Sequence, residues 1–179
     1  MPASPSDLFD LLNKLDIETK THEHEAVFTV EESAKVKHTI PGGHTKNLFV
    51  KDKKGSYFLL VAEGTAQIDL KQIHRLIGAR GRVSFGRADA LMEMLGVEPG
   101  SVTAFAPMND TNNQVKVFID ASLMRYQQIN CHPLKNTMTT TISREDLLRF
   151  LEAVNHPAEV LQFTRVPLED NELEASNEQ

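Results

Sequence analysis

Leu8, Leu11, Leu12 and Leu15 return at three- and four-residue intervals near the start of the chain. That spacing lines one face of a helix, and Ser6 is the residue expected to cap it. From Glu18 to His24 polar and less polar residues alternate instead, which predicts a short edge strand. Thr29-Val30-Glu31-Glu32 has capping-box spacing and predicts a short helix to about Lys37. A loop at Pro41-Gly42-Gly43 follows. Asn47–Lys51 and Tyr57–Ala62 are then strand-like runs joined by Asp52-Lys53-Lys54-Gly55, the pattern of a β-hairpin.

Asp69 is expected to cap a helix carrying Leu70, Ile73, Leu76 and Ile77, stopped by Gly78. Arg82–Phe85 reads as a short strand and Ala88–Leu95 as a helix stopped by Gly96. Glu98-Pro99-Gly100-Ser101 then makes a turn into a strand at Val102–Phe105. Gln114–Asp120 alternates and Thr137–Ile142 is β-branched, so both are predicted strands. Ser143-Arg144-Glu145-Asp146 opens a last helix with Leu147, Leu148 and Leu151, ended by His156-Pro157. With no repeat and no linker, residues 1–179 are expected to form one mixed α/β (α+β) domain built on hairpins, not a regular βαβ alternation. The core covers about 5–165, and 167–179 is expected to be an acidic, disordered tail.

Composition narrows the classes. A chain of 179 residues can bury a core without metal or disulfide support. Its single cysteine, Cys131, excludes an intramolecular disulfide and fits a reducing compartment. No run is long and apolar enough to span a bilayer. Met1 to Leu15 lacks the basic and apolar blocks of a signal peptide. The expectation is a cytoplasmic protein with no membrane partner. The net charge of −6 is unevenly spread. Between Lys35 and Arg87 stand eleven basic residues against Asp52, Glu63 and Asp69, while the tail after Arg165 is purely acidic. A basic middle allows a local polyanion site on an acidic protein.

The candidate chemistry centres on Gly42-Gly43-His44-Thr45-Lys46-Asn47. It presents an ammonium and an amide where a phosphate, carboxylate or ester carbonyl could be held. It is not a Walker loop, because the glycines are adjacent and Asn47 follows the lysine. Gly78, Gly81 and Gly86 have neither the spacing nor the context of a dinucleotide fingerprint. His22, His24 and His44 offer metal ligands but no full set at familiar spacing, so no metal is expected. Cys131-His132-Pro133 suggests a thiol hydrolase, yet neighbours on an extended chain point to opposite faces, and a buried, inert Cys131 is expected instead. His132, fixed by Pro133, is either a loop-capping residue or a substrate-facing one. Gly100-Ser101-Val102-Thr103-Ala104 can aim successive backbone N–H groups at an oxyanion, or serve only as a turn.

Three stretches in order, Gly43–Phe49, Leu95–Thr103 and Cys131–Thr137, resemble the YbaK/ProX-type aminoacyl-tRNA editing domain, which also occurs as the editing insertion of bacterial prolyl-tRNA synthetases. The resemblance is closest to the free-standing ProX group. It implies a central mixed, mostly antiparallel, barrel-like sheet with surrounding helices. It implies a trans-editing, metal-independent deacylase that needs no cofactor and hydrolyses the ester of mischarged tRNA, foremost alanine on tRNA for proline. Cysteinyl or other mischarged tRNA, or a non-catalytic tRNA-binding module, are the alternatives. Its partners would be the tRNA acceptor end, with prolyl-tRNA synthetase or an elongation factor beside it. Carried onto this chain, Lys46, Gly100, Ser101 and His132 are the expected catalytic residues. Asn47, Val27, Phe28, Val30, Ala34, Thr103 and Ala104 would bind substrate. The chain departs from the family's Gly-x-x-x-Pro loop at Ala104, where proline is usual.

Overall fold

The computed structural model describes residues 1–26 and 39–163. The predicted helix at 29–37, the pocket residues Val27, Phe28, Val30 and Ala34, and the acidic tail lie outside the described residues. The first helix, α1 (Pro5–Lys14), begins two residues earlier than Ser6 would cap it. Ser4 is the cap: its hydroxyl accepts from Asp7 N at 3.1 Å, and Asp7 Oδ2 accepts from Ser4 N at 2.8 Å. Pro5 at the first helical position favours this start, since it has no N–H to leave unpaired.

One mixed sheet of eight strands organises the rest. The strands are β1 (Lys20–Glu23), β2 (Gly43–Lys51), β3 (Tyr57–Glu63), β4 (Ser84–Phe85), β5 (Val115–Asp120), β6 (Gln128–Cys131), β7 (Met138–Ser143) and β8 (Glu159–Leu161). Their order is β1-β7-β6-β2-β3-β5-β8, with β4 beside the end of β2. The β2–β3 hairpin expected from the sequence is present, with Lys51 opposite Tyr57 at its turn. β2–β6, β3–β5 and β5–β8 are parallel; the other ladders are antiparallel.

The strand predicted at Val102–Phe105 is absent. That segment is buried but irregular and leads into a 3-10 turn at Ala106–Asn109. The helix expected from Asp69 is shorter too. Asp69 accepts from Lys71 N at 3.0 Å in a preceding turn, and α2 covers Ile73–Ile77. Two further helices, α3 (Ala88–Leu95) and α4 (Arg144–Ala153), lie where periodicity placed them.

Each face of the sheet has its own core. Leu59, Val61, Val117, Ile119, Ile129 and Ile142 pack with the leucines of α1, α3 and α4 on what we call the back face. Phe105 meets Phe150 edge-on there at 5.3 Å between centroids, a geometry worth about 0.5–1.5 kcal/mol beyond area burial. On the front face, Val50, Phe58, Leu60, Ala62 and Phe118 pack with Ile73 and Ile77 of α2. Strand alternation sends Phe49 to the back core and Leu48 and Val50 to the front one. No helix among the described residues is long and apolar enough to cross a membrane.

Candidate active site

β2 decides how its side chains are offered. Lys46 pairs with Ala62 and Asn47 with Val61. Ala62 belongs to the front core and Val61 to the back core. The two side chains therefore leave the strand on opposite faces. The expectation that the ammonium and the amide are presented together is corrected, because strand pairing already begins at Gly43 and alternation separates them. Lys46 Nζ donates to Ala66 O, just past the end of β3. An ammonium carries three N–H donors, so among the described residues two remain for a ligand. Asn47 Oδ1 is buried without a hydrogen-bond partner among the described residues. A buried acceptor left open in this way calls for a donor.

The adjacent glycines serve packing. Gly42 has φ of 110°. A Cβ on Gly43 would lie 2.5 Å from the Tyr126 ring, so only glycine lets that ring settle on β2. Tyr126 is held by its hydroxyl, which donates to Glu63 Oε2 at 2.6 Å. Beside the glycines, Asn130 donates to Pro41 O at 3.0 Å and accepts from Thr141 at 2.5 Å, which ties the entry of β2 to β6 and β7.

The Gly100 segment lies against the back core. Gly100 has φ of 95°, and Ser101 N donates to Glu98 O at 2.9 Å, closing the turn. That N–H is thereby spent. Ser101 brings a partly exposed side chain but no free backbone donor. The N–H groups of Gly100, Val102, Thr103 and Ala104 find no hydrogen-bond partner among the described residues, although Thr103 and Ala104 are fully buried. Buried backbone donors are almost always paired, so this run would favour an acceptor. Gly100 and Val102 are open to one, whereas Thr103 and Ala104, fully buried, would need a local opening.

His132 follows β6. Its Nδ1 lies 2.9 Å from Met138 O, and the ring centroid is 6.3 Å from that of His24. A carbonyl only accepts, so Nδ1 carries the proton and the neutral ring leaves Nε2 as an acceptor. Burial holds the imidazole below its ordinary range, and the charge of His24 acts in the same direction against the Met138 hydrogen bond. His24 is itself occupied, with Nδ1 at 2.8 Å from Glu25 O and Nε2 at 2.8 Å from Thr139 Oγ1. Burial pushes the Cys131 thiol up to about 12, which makes it a poor nucleophile. Among the described residues no group of three His, Cys, Asp or Glu could hold a metal ion.

The expected site residues thus fall into three places. Lys46 stands with the front core, Asn47 and the Gly100–Ala104 segment with the back core, and His132 beyond the end of β6. No hydrogen bond or ion pair among the described residues joins His132 to either of the others. The Ala66 carbonyl and the Thr139–His24 contact were not foreseen.

Comparison with known proteins gives a consistent answer. The family model of the aminoacyl-tRNA editing domain matches residues 24–150. The prolyl-tRNA synthetase associated domain-containing protein 1 of Danio rerio is 38% identical over 159 residues, covering 88% of this chain and 86% of its own length. The prolyl-tRNA editing protein ProX of Acetoanaerobium sticklandii is 34% identical over 143 residues, 79% of this chain and 87% of its own. The solved structure of a candidate trans-editing enzyme for prolyl tRNA synthetase superposes with a TM-score of 0.67 over 91% of this chain and 99% of its own, at 21% identity. That likeness concerns the fold alone. With the family match spanning all three expected site segments, the chain belongs to the YbaK/ProX-type aminoacyl-tRNA editing domain family.

Proposed function

We propose that this protein is a trans-acting deacylase that hydrolyses the ester of mischarged tRNA, with alanine on tRNA for proline as its foremost substrate and the cytoplasm as its place of work. The observation that carries the reading is the editing-domain match over residues 24–150, which contains Lys46, Gly100–Ala104 and His132 together. The named relatives, one a prolyl-tRNA editing protein, favour tRNA for proline over other tRNAs.

The chemistry asked of the residues is modest. An aminoacyl ester is already activated, so a water attack needs positioning and charge stabilisation more than a nucleophilic side chain. The two remaining Lys46 donors would hold the terminal phosphate or the developing negative charge. Asn47 Oδ1 would accept from the substrate's amino group. The unpaired N–H groups between Gly100 and Ala104 would stabilise the tetrahedral oxyanion, an effect on the order of 100-fold or more per donor elsewhere. His132 Nε2 would orient substrate or water. Because these groups stand apart in the described residues, this reading requires the bound acceptor end to bridge them.

A panel of mischarged tRNAs, with and without chelator, tests the proposal beside Lys46→Met, which keeps the aliphatic stem and removes the charge. Expected are release of alanine from tRNA for proline, insensitivity to chelator, and a loss of roughly 100-fold or more in kcat/KM for the variant. Failure to deacylate any member would favour a binding module. Faster release of cysteine than alanine would reassign the substrate, and full activity of Lys46→Met would remove the lysine from the site.

A further inference from the structure

The far end of β2 carries a second feature. At the hairpin turn, Lys53 N donates to Arg80 O at 3.2 Å and Arg80 N donates to Asp52 Oδ2 at 2.9 Å, so residues 80–85 run alongside the hairpin. The stem of Lys53 lies over Gly81, where a Cβ would meet it at 2.9 Å. Beyond it, β4 pairs Ser84 with Lys51 and Phe85 with Val50. Phe85 is 59% exposed, the highest value among the described large hydrophobic residues past the chain start. Beside this strip a groove of about 590 Å³ is lined by Lys54, Arg80 and Lys116, with Ser56 and Asn113.

The charge here is one-sided. Among the described residues, Lys53, Lys54, Arg80, Arg82 and Lys116 make no ion pair with a carboxylate. The one carboxylate in the groove, Asp52, is nearly buried. It is consumed by the backbone N–H groups of Lys54, Ser56 and Arg80, each at 2.9 Å, with the Arg80 charge also acting on it. Arg87 is already paired with Asp89 at 3.3 Å. Cations without a carboxylate ion pair, Lys116 among them resting over the Phe118 ring at 5.4 Å, and an exposed aromatic beside them meet the two requirements for holding a nucleic acid strand: phosphate neutralisation and a surface for base stacking. A surface for an acidic protein would need the cations but not the exposed ring.

We propose that this hairpin end is a docking platform for the RNA of the substrate, with Phe85 stacking on an unpaired base and Lys53, Lys54, Arg80, Arg82 and Lys116 binding phosphates. The proposal rests on the editing function inferred above and extends it to how the tRNA is gripped. From Lys46 to Lys51 is five strand residues, roughly 17 Å. With the ester at Lys46, the platform meets the acceptor strand several nucleotides inward, too far to touch the reacting atoms. It should therefore set tRNA affinity and leave the chemical step alone.

Binding of uncharged tRNA, steady-state deacylation of mischarged tRNA, and hydrolysis of alanine esterified to adenosine are measured for wild type, Phe85→Ala, Phe85→Trp and Lys53→Glu/Arg82→Glu. Phe85→Ala is expected to weaken tRNA binding about 10-fold and raise KM to match, with kcat and the adenosine ester unchanged. Phe85→Trp restores affinity. The double charge reversal lowers the slope of log affinity against log salt by about 0.7 for each phosphate no longer neutralised. All sites are exposed, so the variants should melt with wild type. Unchanged tRNA affinity in every variant, no tRNA binding by wild type, or equal loss on the adenosine ester would overturn the platform. A wild type that hydrolyses no ester, beside variants that still lose tRNA affinity, would sustain the platform and overturn the editing reading.

Discussion

His132 shows how much one side chain's role depends on which nitrogen carries the proton. Its Nδ1–H is given to Met138 O at 2.9 Å, which holds the connection between β6 and β7, so a structural part is certain. The proposed substrate-facing part is Nε2, an acceptor only while the ring is neutral. Burial, aided by the His24 charge, lowers the pKa below the ordinary 6.5. The neutral ring therefore prevails at neutral pH, and its contribution to stability is full above the unfolded value and lost as pH falls through the folded one. Activity should follow the same sign, with an acid limb displaced below 6.5. His132→Asn separates the two parts, because the shorter amide can still donate toward Met138 O but has nothing where Nε2 stood. The variant is expected to keep its melting temperature within a few degrees, lose about 10-fold in kcat/KM, and lose the acid limb. A pH–rate profile that retains the limb would leave His132 as a loop residue only. Its pairing with Met138 O was not legible from Cys131-His132-Pro133, because that bond forms across a connection whose register no local pattern fixes.

At the scale of elements, periodicity located nearly every helix and the β2–β3 hairpin, and it failed where backbone pairing decides the conformation. Gly42-Gly43 resembled a flexible loop, yet Gly43 is a strand residue paired with Ile129 and pressed under Tyr126. Gln128-Ile129-Asn130-Cys131 does alternate, but Cys131 and the following His132 drew a chemical interpretation instead of a strand. Val102–Phe105 is apolar enough for a strand, but its N–H groups join no ladder. Instead Thr103 O accepts from Ala106 N at 3.1 Å, a turn with Ala104 at its second position. Proline is favoured there in type I and type II turns, and the Ala104 N–H has no partner to lose among the described residues. The departure from the family pattern thus falls at a turn position that proline also favours. Ala104→Pro should stabilise the protein by about 0.4–1 kcal/mol through the unfolded chain, measured by urea unfolding. If the Ala104 N–H is an oxyanion donor, the same variant will lose kcat while gaining stability. Unchanged kcat would assign that duty to Gly100, Val102 or Thr103.

The whole molecule depends on contacts that no window of sequence contains. β5 lies parallel between β3 and β8, so the chain must return twice to the same end of the sheet after long crossovers. Parallel register has no tight turn to set it, and this part of the topology was therefore illegible beforehand. The structure fastens both returns with one buried pair. Asp110 lies just before β5 and His156 just before β8, with His156 Nε2 2.9 Å from Asp110 Oδ2 and both side chains only 1% exposed. The same Oδ2 accepts from Val115 N, the first residue of β5, at 2.8 Å, while His156 Nδ1 faces Val154 O at 2.7 Å. One carboxylate therefore links the entry of β5 to the end of α4. Removing one partner of a buried pair costs about 3–5 kcal/mol, because the other is left without compensation. Asp110→Ala should lose that much in urea unfolding, and Val160 and Leu161 amides should exchange faster than those of the β2–β3 hairpin. A cost under about 1 kcal/mol, or uniform exchange across the sheet, would show that β8 is registered by its own strand contacts, whereas a selective loss at β8 would identify the pair as the clasp of the second crossover.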